Sequence, residues 1–489
     1  MKGRIGRSIF LAAARIVFSP DLTFEHFILP GVYMSIHRDL TTAPIPELIR
    51  QIAIPASIGL FFNTMYNVVD TYFGGMISIQ ALAALSLSFP VFFIIIAVSN
   101  GVATGTTALI GAALGAKNHD EARIYALQGI TFVLCIGVIL TIVGWYISPP
   151  IFSLLGASGQ YLHDCLLYMD AIFAGTLFFL LVQMFNSMLN AQGDTKTFRN
   201  FLLFGFLLNV GLDPWFIYGG FGIPAMGIRG IAIATVLVQM IGCVYVGWRV
   251  YRTGLLQGGT LKEAIPRFGP FKDIAWQGLP SSLNYMTIAL GMFVITYFLS
   301  EFGQEAVAAY GVAIRVEQIA LLPTIGLNIA TLSIVAQNYG AQKIDRIHDT
   351  LKKALQYGGV VSIIGMIAVF GLGRYFVGVF TEDLQVVQIG SVYLKIDAFV
   401  FYAYVVLFVN MATLQGMKRP VFALVIGTYR QIVAPYLVFY LLTHVLNFGI
   451  VGIWWGIFLV TWSAAIITFF YAQRVLRQVR LQSIKGTKS

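Results

Sequence analysis

From residue 51 onward, long stretches of consecutive apolar residues alternate with short polar ones. Twelve stretches reach or exceed the roughly 20 residues that an α-helix needs to cross a bilayer's hydrocarbon core. They fall at about 51–74, 82–114, 124–149, 163–190, 199–219, 229–250, 274–300, 306–339, 354–380, 388–414, 421–443 and 449–473. Runs such as Val91 to Val98 are apolar at every position, whereas a membrane strand alternates lipid-facing and inward-facing residues. Helices, which satisfy their own backbone polar groups in lipid, are the remaining solution. The pattern predicts an all-α membrane protein of twelve transmembrane helices.

The twelve spans are two sets of six. Shifting the sequence by 225 residues aligns 51–120 with 276–345 without a gap and with 16 identities in 70 positions. Pro55 falls on Pro280, Thr71-Tyr72-Phe73 on Thr296-Tyr297-Phe298, Gly101 on Gly326 and Gly115-Ala116 on Gly340-Ala341. Further on, Gln192-Gly193 pairs with Gln415-Gly416 and Gly227/Gly230 with Gly449/Gly452. Six spans return the chain to its starting side, so the halves share one orientation and their pseudo-twofold axis lies along the membrane normal. Two six-helix bundles facing a central cleft are expected, at residues 51–251 and 273–475. Between them lies a polar linker, 252–272, with Gly258-Gly259, Pro266 and Pro270; a segment 1–50 precedes them and a basic tail, 476–489, follows.

Composition agrees with the pattern. Of 489 residues, 58% are hydrophobic and 11% charged, with mean hydropathy +0.81, against about 25% charged in soluble domains. A net charge of +10 first suggests nucleic acid, but its placement does not. Twenty-six of the 31 Lys and Arg residues lie in residues 1–50, in or beside the loops after spans 2, 4, 6, 8 and 10, or in the tail. Arg229 and Arg374 lie toward the other face, and Arg315, Lys395 and Arg430 within spans. This is the positive-inside asymmetry; it predicts cytoplasmic termini and a multi-pass protein of the cell membrane, with no nucleic-acid partner. Cys135, Cys165 and Cys243 fall in apolar segments without metal-type spacing and read as packing residues. Ile9 to Phe18 is apolar after Lys2, Arg4 and Arg7, like a signal peptide, but is short and interrupted by Arg15. An interfacial helix fits better.

A charge at mid-bilayer costs at least about 2.5–3.5 kcal/mol, so intramembrane acids usually serve a function. Asp70 near the end of span 1 falls opposite the apolar Ile295 of the repeat, and Asp213 in span 5 falls near Pro435. A purely architectural need would recur in both halves; these acids occur in one. Asn209 and Asp213 are four apart and share a helix face, as do Asn186 and Asn190 in span 4, with Gln183 one turn before Asn186. Tyr66 and Asn67 lie one turn from Asp70. Pro214 frees a carbonyl one turn earlier, near Val210. Carboxylates, amides and a free carbonyl suit a cation or a proton. Arg315, Glu317, Lys395, Asp397 and Arg430 in the second half read as structural ion-pair residues. The chain has no Gly-x-x-x-x-Gly-Lys-Ser/Thr phosphate loop and no His-Glu-x-x-His, which leaves transport driven by an ion gradient as the economical reading and gives no enzyme signature.

Pro55 to Gly75 with Val69-Asp70-Thr71, Leu114-Gly115-Ala116-Lys117, Gln192-Gly193-Asp194-Thr195 and Leu208-Asn209 through Pro214, on a twice-six-helix frame, resemble the multidrug and toxic compound extrusion (MATE) family over about residues 50–475. The resemblance implies a V-shaped pair of bundles exporting organic cations or other amphipathic compounds in exchange for protons or sodium ions. In its DinF-like branch the cation site lies in the N-terminal bundle. By motif, Asp70, Asn209, Asp213, Asn186 and Thr235 match that site. The NorM-type branch uses acids of the C-terminal bundle; here span 7 has none, although span 10 carries Asp397.

The reading is therefore a secondary antiporter working by alternating access. Asp70 and Asp213, with Asn209, Asn186 and Thr235, would bind the coupling cation or proton, and Asn190, Gln183, Tyr66 and Asn67 would line the substrate cavity. The coupling ion is a proton, or sodium held at Asp70 and Asp213; no other cofactor or metal is expected. The expected partners are a small amphipathic or cationic substrate and membrane lipid, with the chain acting as a monomer. Two rivals remain: a flippase for a lipid-linked sugar, whose cavity would need several cationic residues for phosphate, and a receptor or scaffold that transports nothing.

Overall fold

The computed structural model describes residues 39–220 and 222–486. Twelve helices are long and apolar enough to cross a membrane: α1 (Ile45–Ile77), α2 (Ile79–Gly115), α3 (His119–Leu154), α4 (Gly159–Ala191), α5 (Lys196–Tyr218), α6 (Ile228–Arg252), α7 (Phe268–Ser300), α8 (Gln304–Gly340), α9 (Ile344–Gly378), α10 (Leu384–Gly416), α11 (Val421–Val445) and α12 (Gly449–Gln482). Among the described residues the only extended pairing is one bridge, Gly220 with Ile223, in the α5–α6 loop. Helix starts follow local chemistry. The Ser78 hydroxyl accepts the Ala81 amide at 2.9 Å and caps α2; the Asn118 side chain accepts the Glu121 amide at 3.1 Å and donates to its carboxylate at 2.9 Å, capping α3. The first helix begins at Ile45, earlier than its hydropathy suggests, because Glu47, Arg50 and Gln51 dilute the apolar signal of its first turns. The interfacial helix expected around Ile9 to Phe18 lies outside the described residues.

Helices α1–α6 and α7–α12 form two lobes that repeat one pattern. Apolar side chains of α2–α6 fill the first lobe and those of α8–α12 the second. Each lobe also receives the opposite lobe's leading helix: Leu48, Ile49 and Ile52 of α1 pack with Ile334, Ile347 and Leu414, and Ile274 of α7 packs with Ile110 and Ala126. Ile49 and Ile274 are 225 apart, so the exchange follows the repeat. The lobes meet where glycine permits it. A Cβ at Gly115 would fall on the Gln337 carbonyl, and one at Gly340 on the Ala112 carbonyl. Gly101 meets Ser282 and Gly326 meets Ser57 in the same reciprocal way. Close approach of small residues replaces the hydrophobic drive that lipid cannot supply. These approaches lie past the midpoints of α2 and α8, toward the face that carries most of the Lys and Arg residues, where the lobes are closed together.

Polar straps at that basic face complete the exchange. Before α1, the carbonyls of Leu40 and Ala43 accept from Arg346 at 3.2 and 2.6 Å, and that of Thr41 from Lys343 at 2.9 Å. Before α7, the linker forms one helical turn, Leu261–Ala264, with a Thr260–Glu263 capping box. It docks on α3: Gln128 donates to the carbonyls of Glu263 and Ile265 and accepts the Arg267 amide at 2.9 Å. Arg123 pairs with Glu263 at 3.2 Å and holds that carboxyl below the usual glutamate range.

Candidate functional site

In the N-terminal lobe, α1, α5 and α6 bring together residues far apart in sequence. Asn209 and Asp213 lie one turn apart on α5, which runs through Pro214 without a break, and Asn209 Nδ2 donates to Asp213 Oδ1 at 3.0 Å. Asp70 on α1 lies beside both and accepts the Thr235 hydroxyl of α6 at 3.3 Å. Asn209 and Asp213 are wholly buried, and Asp70 and Thr235 nearly so. Among the described residues neither acid has a basic partner, and one oxygen on each of Asp70, Asp213 and Asn209 is buried without a hydrogen bond. Two ionised carboxylates cannot stay adjacent and unpaired in such a place. At least one of the acids is neutral, or a positive charge lies between them.

A cavity of about 180 Å³ opens on this cluster. Tyr66, Asn67 and Asp70 of α1, Thr235 of α6 and Gln183 of α4 line it, with Phe92, Phe179 and Phe201 among its apolar walls and no Lys or Arg. Asp213 and Asn209 sit behind that lining, reached through Asp70. Asn186 makes no hydrogen bond to the acids: its amide donates to Gln183 at 3.5 Å, and Gln183 donates to Asn100 at 2.6 Å. Asn190 lies near the end of α4, where its carbonyl accepts the Gly193 amide, and is not part of the cavity wall. Sequence reasoning did not single out Asn63, Ser99, Asn100 and Gln239, which line the cavity too. For Asn63 a signal existed, since Asn63, Asn67 and Asp70 recur at helical spacing on one face.

The C-terminal lobe holds a different cluster. Glu317 of α8 accepts the Tyr393 hydroxyl of α10 at 2.6 Å, Arg430 of α11 lies over the Tyr404 ring, 5.4 Å from its centroid, and Asp397 is buried with neither oxygen hydrogen-bonded. Arg315 and Lys395 are exposed on the helix surfaces. The expected structural ion pairs therefore do not form among the described residues. Tyrosine hydroxyls and ring faces make the close contacts instead, while Arg430 lies near enough to Glu317 to act on it electrostatically without a direct ion pair.

Two like-oriented lobes of six helices, with a polar cavity leading to buried acids, have the architecture of a membrane transport protein. The MatE family model matches the chain twice, at residues 55–215 and 280–441, a spacing of 225 that equals the shift of the internal repeat, and the chain belongs to that family of multidrug and toxic compound extrusion transporters. Among its relatives, the multidrug export protein MepA of Staphylococcus aureus (strain MSSA476) is 27% identical over 423 residues, 85% of this chain and 90% of that one. The probable multidrug resistance protein YoeA of Bacillus subtilis (strain 168) is 25% identical over 425 residues, 86% and 90% of the two chains. A MATE crystal structure in a bent conformation superposes with a TM-score of 0.85 at 25% identity, covering 91% of this chain and 98% of that one. An outward-facing multidrug resistance MATE transporter shares the fold, with a TM-score of 0.84 at 24% identity over 90% and 98% of the two chains.

Proposed function

We propose that this protein is a secondary antiporter that exports organic cations or other amphipathic compounds in exchange for protons by alternating access, as a multi-pass protein of the cell membrane with both termini cytoplasmic. The observation that carries the reading is the Asp70–Asp213 pair: adjacent, buried, without a basic partner and connected to the cavity through Asp70. One proton shared by the pair removes the repulsion between the acids; its release restores it. The lobe packing that exposes Asp70 to one side would thus be favoured in one protonation state over the other, and only such a differential affinity can drive a switch. Sodium is a second reading, favoured by the three unpartnered oxygens of Asp70, Asn209 and Asp213. The use of N-terminal acids accords with the DinF-like branch. The absence of Lys and Arg from the cavity wall speaks against a phosphate-bearing lipid-linked sugar as cargo.

The test is substrate efflux from proteoliposomes under separately imposed proton and sodium gradients. The proton gradient should drive efflux, and Asp70→Asn should reduce it to the level of protein-free vesicles while the protein still inserts and binds substrate. The amide keeps the carboxylate's shape and removes a charge from the bilayer, so insertion does not suffer. Efflux by Asp70→Asn at the unmodified rate would make Asp70 structural.

A further inference from the structure

At the basic face of the C-terminal lobe, α9 and α12 run antiparallel and leave a groove of about 360 Å³ between them. Its residues are graded by depth. His348 and Lys352 of α9 and Arg477 of α12 stand at the end nearer the basic face, Gln473 lies between, and Leu355 with Phe469 and Phe470 forms the end toward the membrane interior. Along α9 the polar-to-apolar step from His348 to Leu355 spans about 10 Å at 1.5 Å per residue. Among the described residues, His348, Lys352 and Arg477 have no hydrogen bond or ion pair. Asp345, the acid one turn from His348, is taken by Arg480 at 3.2 Å, and Asp349 is exposed and outside the groove.

The repeat shows what such a groove requires. The shift of 225 carries His348 onto Arg123 and Lys352 onto Leu127. There, in the N-terminal lobe, the linker covers the surface: Gly258 and Gly259 pack on Arg123 and Leu127, and Glu263 neutralises Arg123. In the C-terminal lobe no described residue lies over the groove, whose lining comes from α9 and α12 alone. A cationic head above an aromatic slot, uncovered by any described residue, has the shape of an amphiphile. Residues 1–38 do not complement it, since they carry Lys2, Arg4, Arg7, Arg15 and Arg38 against Asp21 and Glu25.

We propose that this groove binds an anionic phospholipid, with the phosphate between Lys352, Arg477 and His348 and the upper acyl chain along Leu355, Phe469 and Phe470. Basic recesses between membrane helices favour such headgroups. The site lies in the lobe opposite to the acid cluster and does not depend on which ion drives transport.

The experiment uses the full chain in two forms: Lys352→Gln/Arg477→Gln, which empties the groove of charge, and Lys353→Gln/Arg474→Gln, which removes the same charge from the same helices beside it. Native mass spectrometry after exchange into phosphatidylglycerol counts retained lipid. Thermal unfolding is compared in nanodiscs of phosphatidylglycerol and phosphatidylcholine, and in detergent with inorganic phosphate alone. The unmodified chain and the flanking variant should retain phosphatidylglycerol and be stabilised by it over phosphatidylcholine, and the groove variant should bind it about tenfold or more weakly. Equal retention by both variants, or equal loss, would overturn the proposal. So would stabilisation by phosphate matching that by the lipid, which would mark a free-anion site, or a cross-link from Gln473→Cys to residues 1–38, which would make the occupant the chain itself.

Discussion

Asp70 and Asp213 gain their chemistry from what surrounds them. Each has a neutral donor, Thr235 or Asn209, so neither is neutralised and each responds to the charge of the other. Asp213→Asn should therefore lose gradient-driven efflux as Asp70→Asn does, while Ile295→Asp in the Asp70→Asn background should restore nothing, because Ile295 sits in the lobe that lacks the partner acid. Vesicle efflux with protein level measured in parallel decides both. Thr235→Val removes one long hydrogen bond, worth about 0.5–1.5 kcal/mol, and should weaken coupling severalfold without abolishing it. In the other lobe, Tyr393→Phe leaves the Glu317 carboxyl buried without its donor at 2.6 Å. That should cost about 1–3 kcal/mol, read as a lower unfolding temperature in detergent. Of the residues singled out from sequence, Asp70, Asn209, Asp213 and Thr235 converge in space. Asn186 meets the cavity through its hydrogen bond to Gln183, and Asn190 is not part of the cavity wall.

At the scale of elements, the linker turn Leu261–Ala264 is held to α3 largely through polar contacts. Gln128→Ala deletes its bonds to Glu263, Ile265 and Arg267 and should free the segment, read as faster protease cleavage within 252–272. Glu263 contributes in a pH-dependent way. Its carboxyl is held low by the Arg123 hydrogen bond, so this part of the docking is fully present above the ordinary glutamate value of about 4.3 and is lost as pH falls through the lower, docked value. A nitroxide at Lys262→Cys should become more mobile over that acidic range, and Glu263→Gln should flatten the change. Topology is checked at the same elements: tags at residue 262 and the C-terminus should be cytoplasmic and one near residue 157 external. External labelling at residue 262 would invert the spans.

For the molecule as a whole, closure of the lobes at the basic face rests on helix backbones that touch. Gly115→Val and Gly340→Val each place a side chain against the opposite helix's carbonyl, so both should shift the lobes toward separation at that face. Distances between spin labels on the two lobes should lengthen by similar amounts in the two variants, because the contacts are reciprocal under the repeat. Unchanged distances would mean that the seam does not set the closed state. The sequence by itself determined the number of spans, their duplication, the uneven placement of basic residues and the pairing of Asn209 with Asp213. Each of these is a periodic or solvent-driven property carried along one chain segment: hydropathy answers to lipid, and spacing of four answers to the helix. Only the tertiary structure decided that α1 and α7 each enter the opposite lobe, that Asn100 rather than an acid meets Gln183, and that one groove is roofed by the linker while no described residue covers its repeat. Those outcomes depend on which helices approach, and in lipid that choice is made by small residues hundreds of positions apart fitting one another.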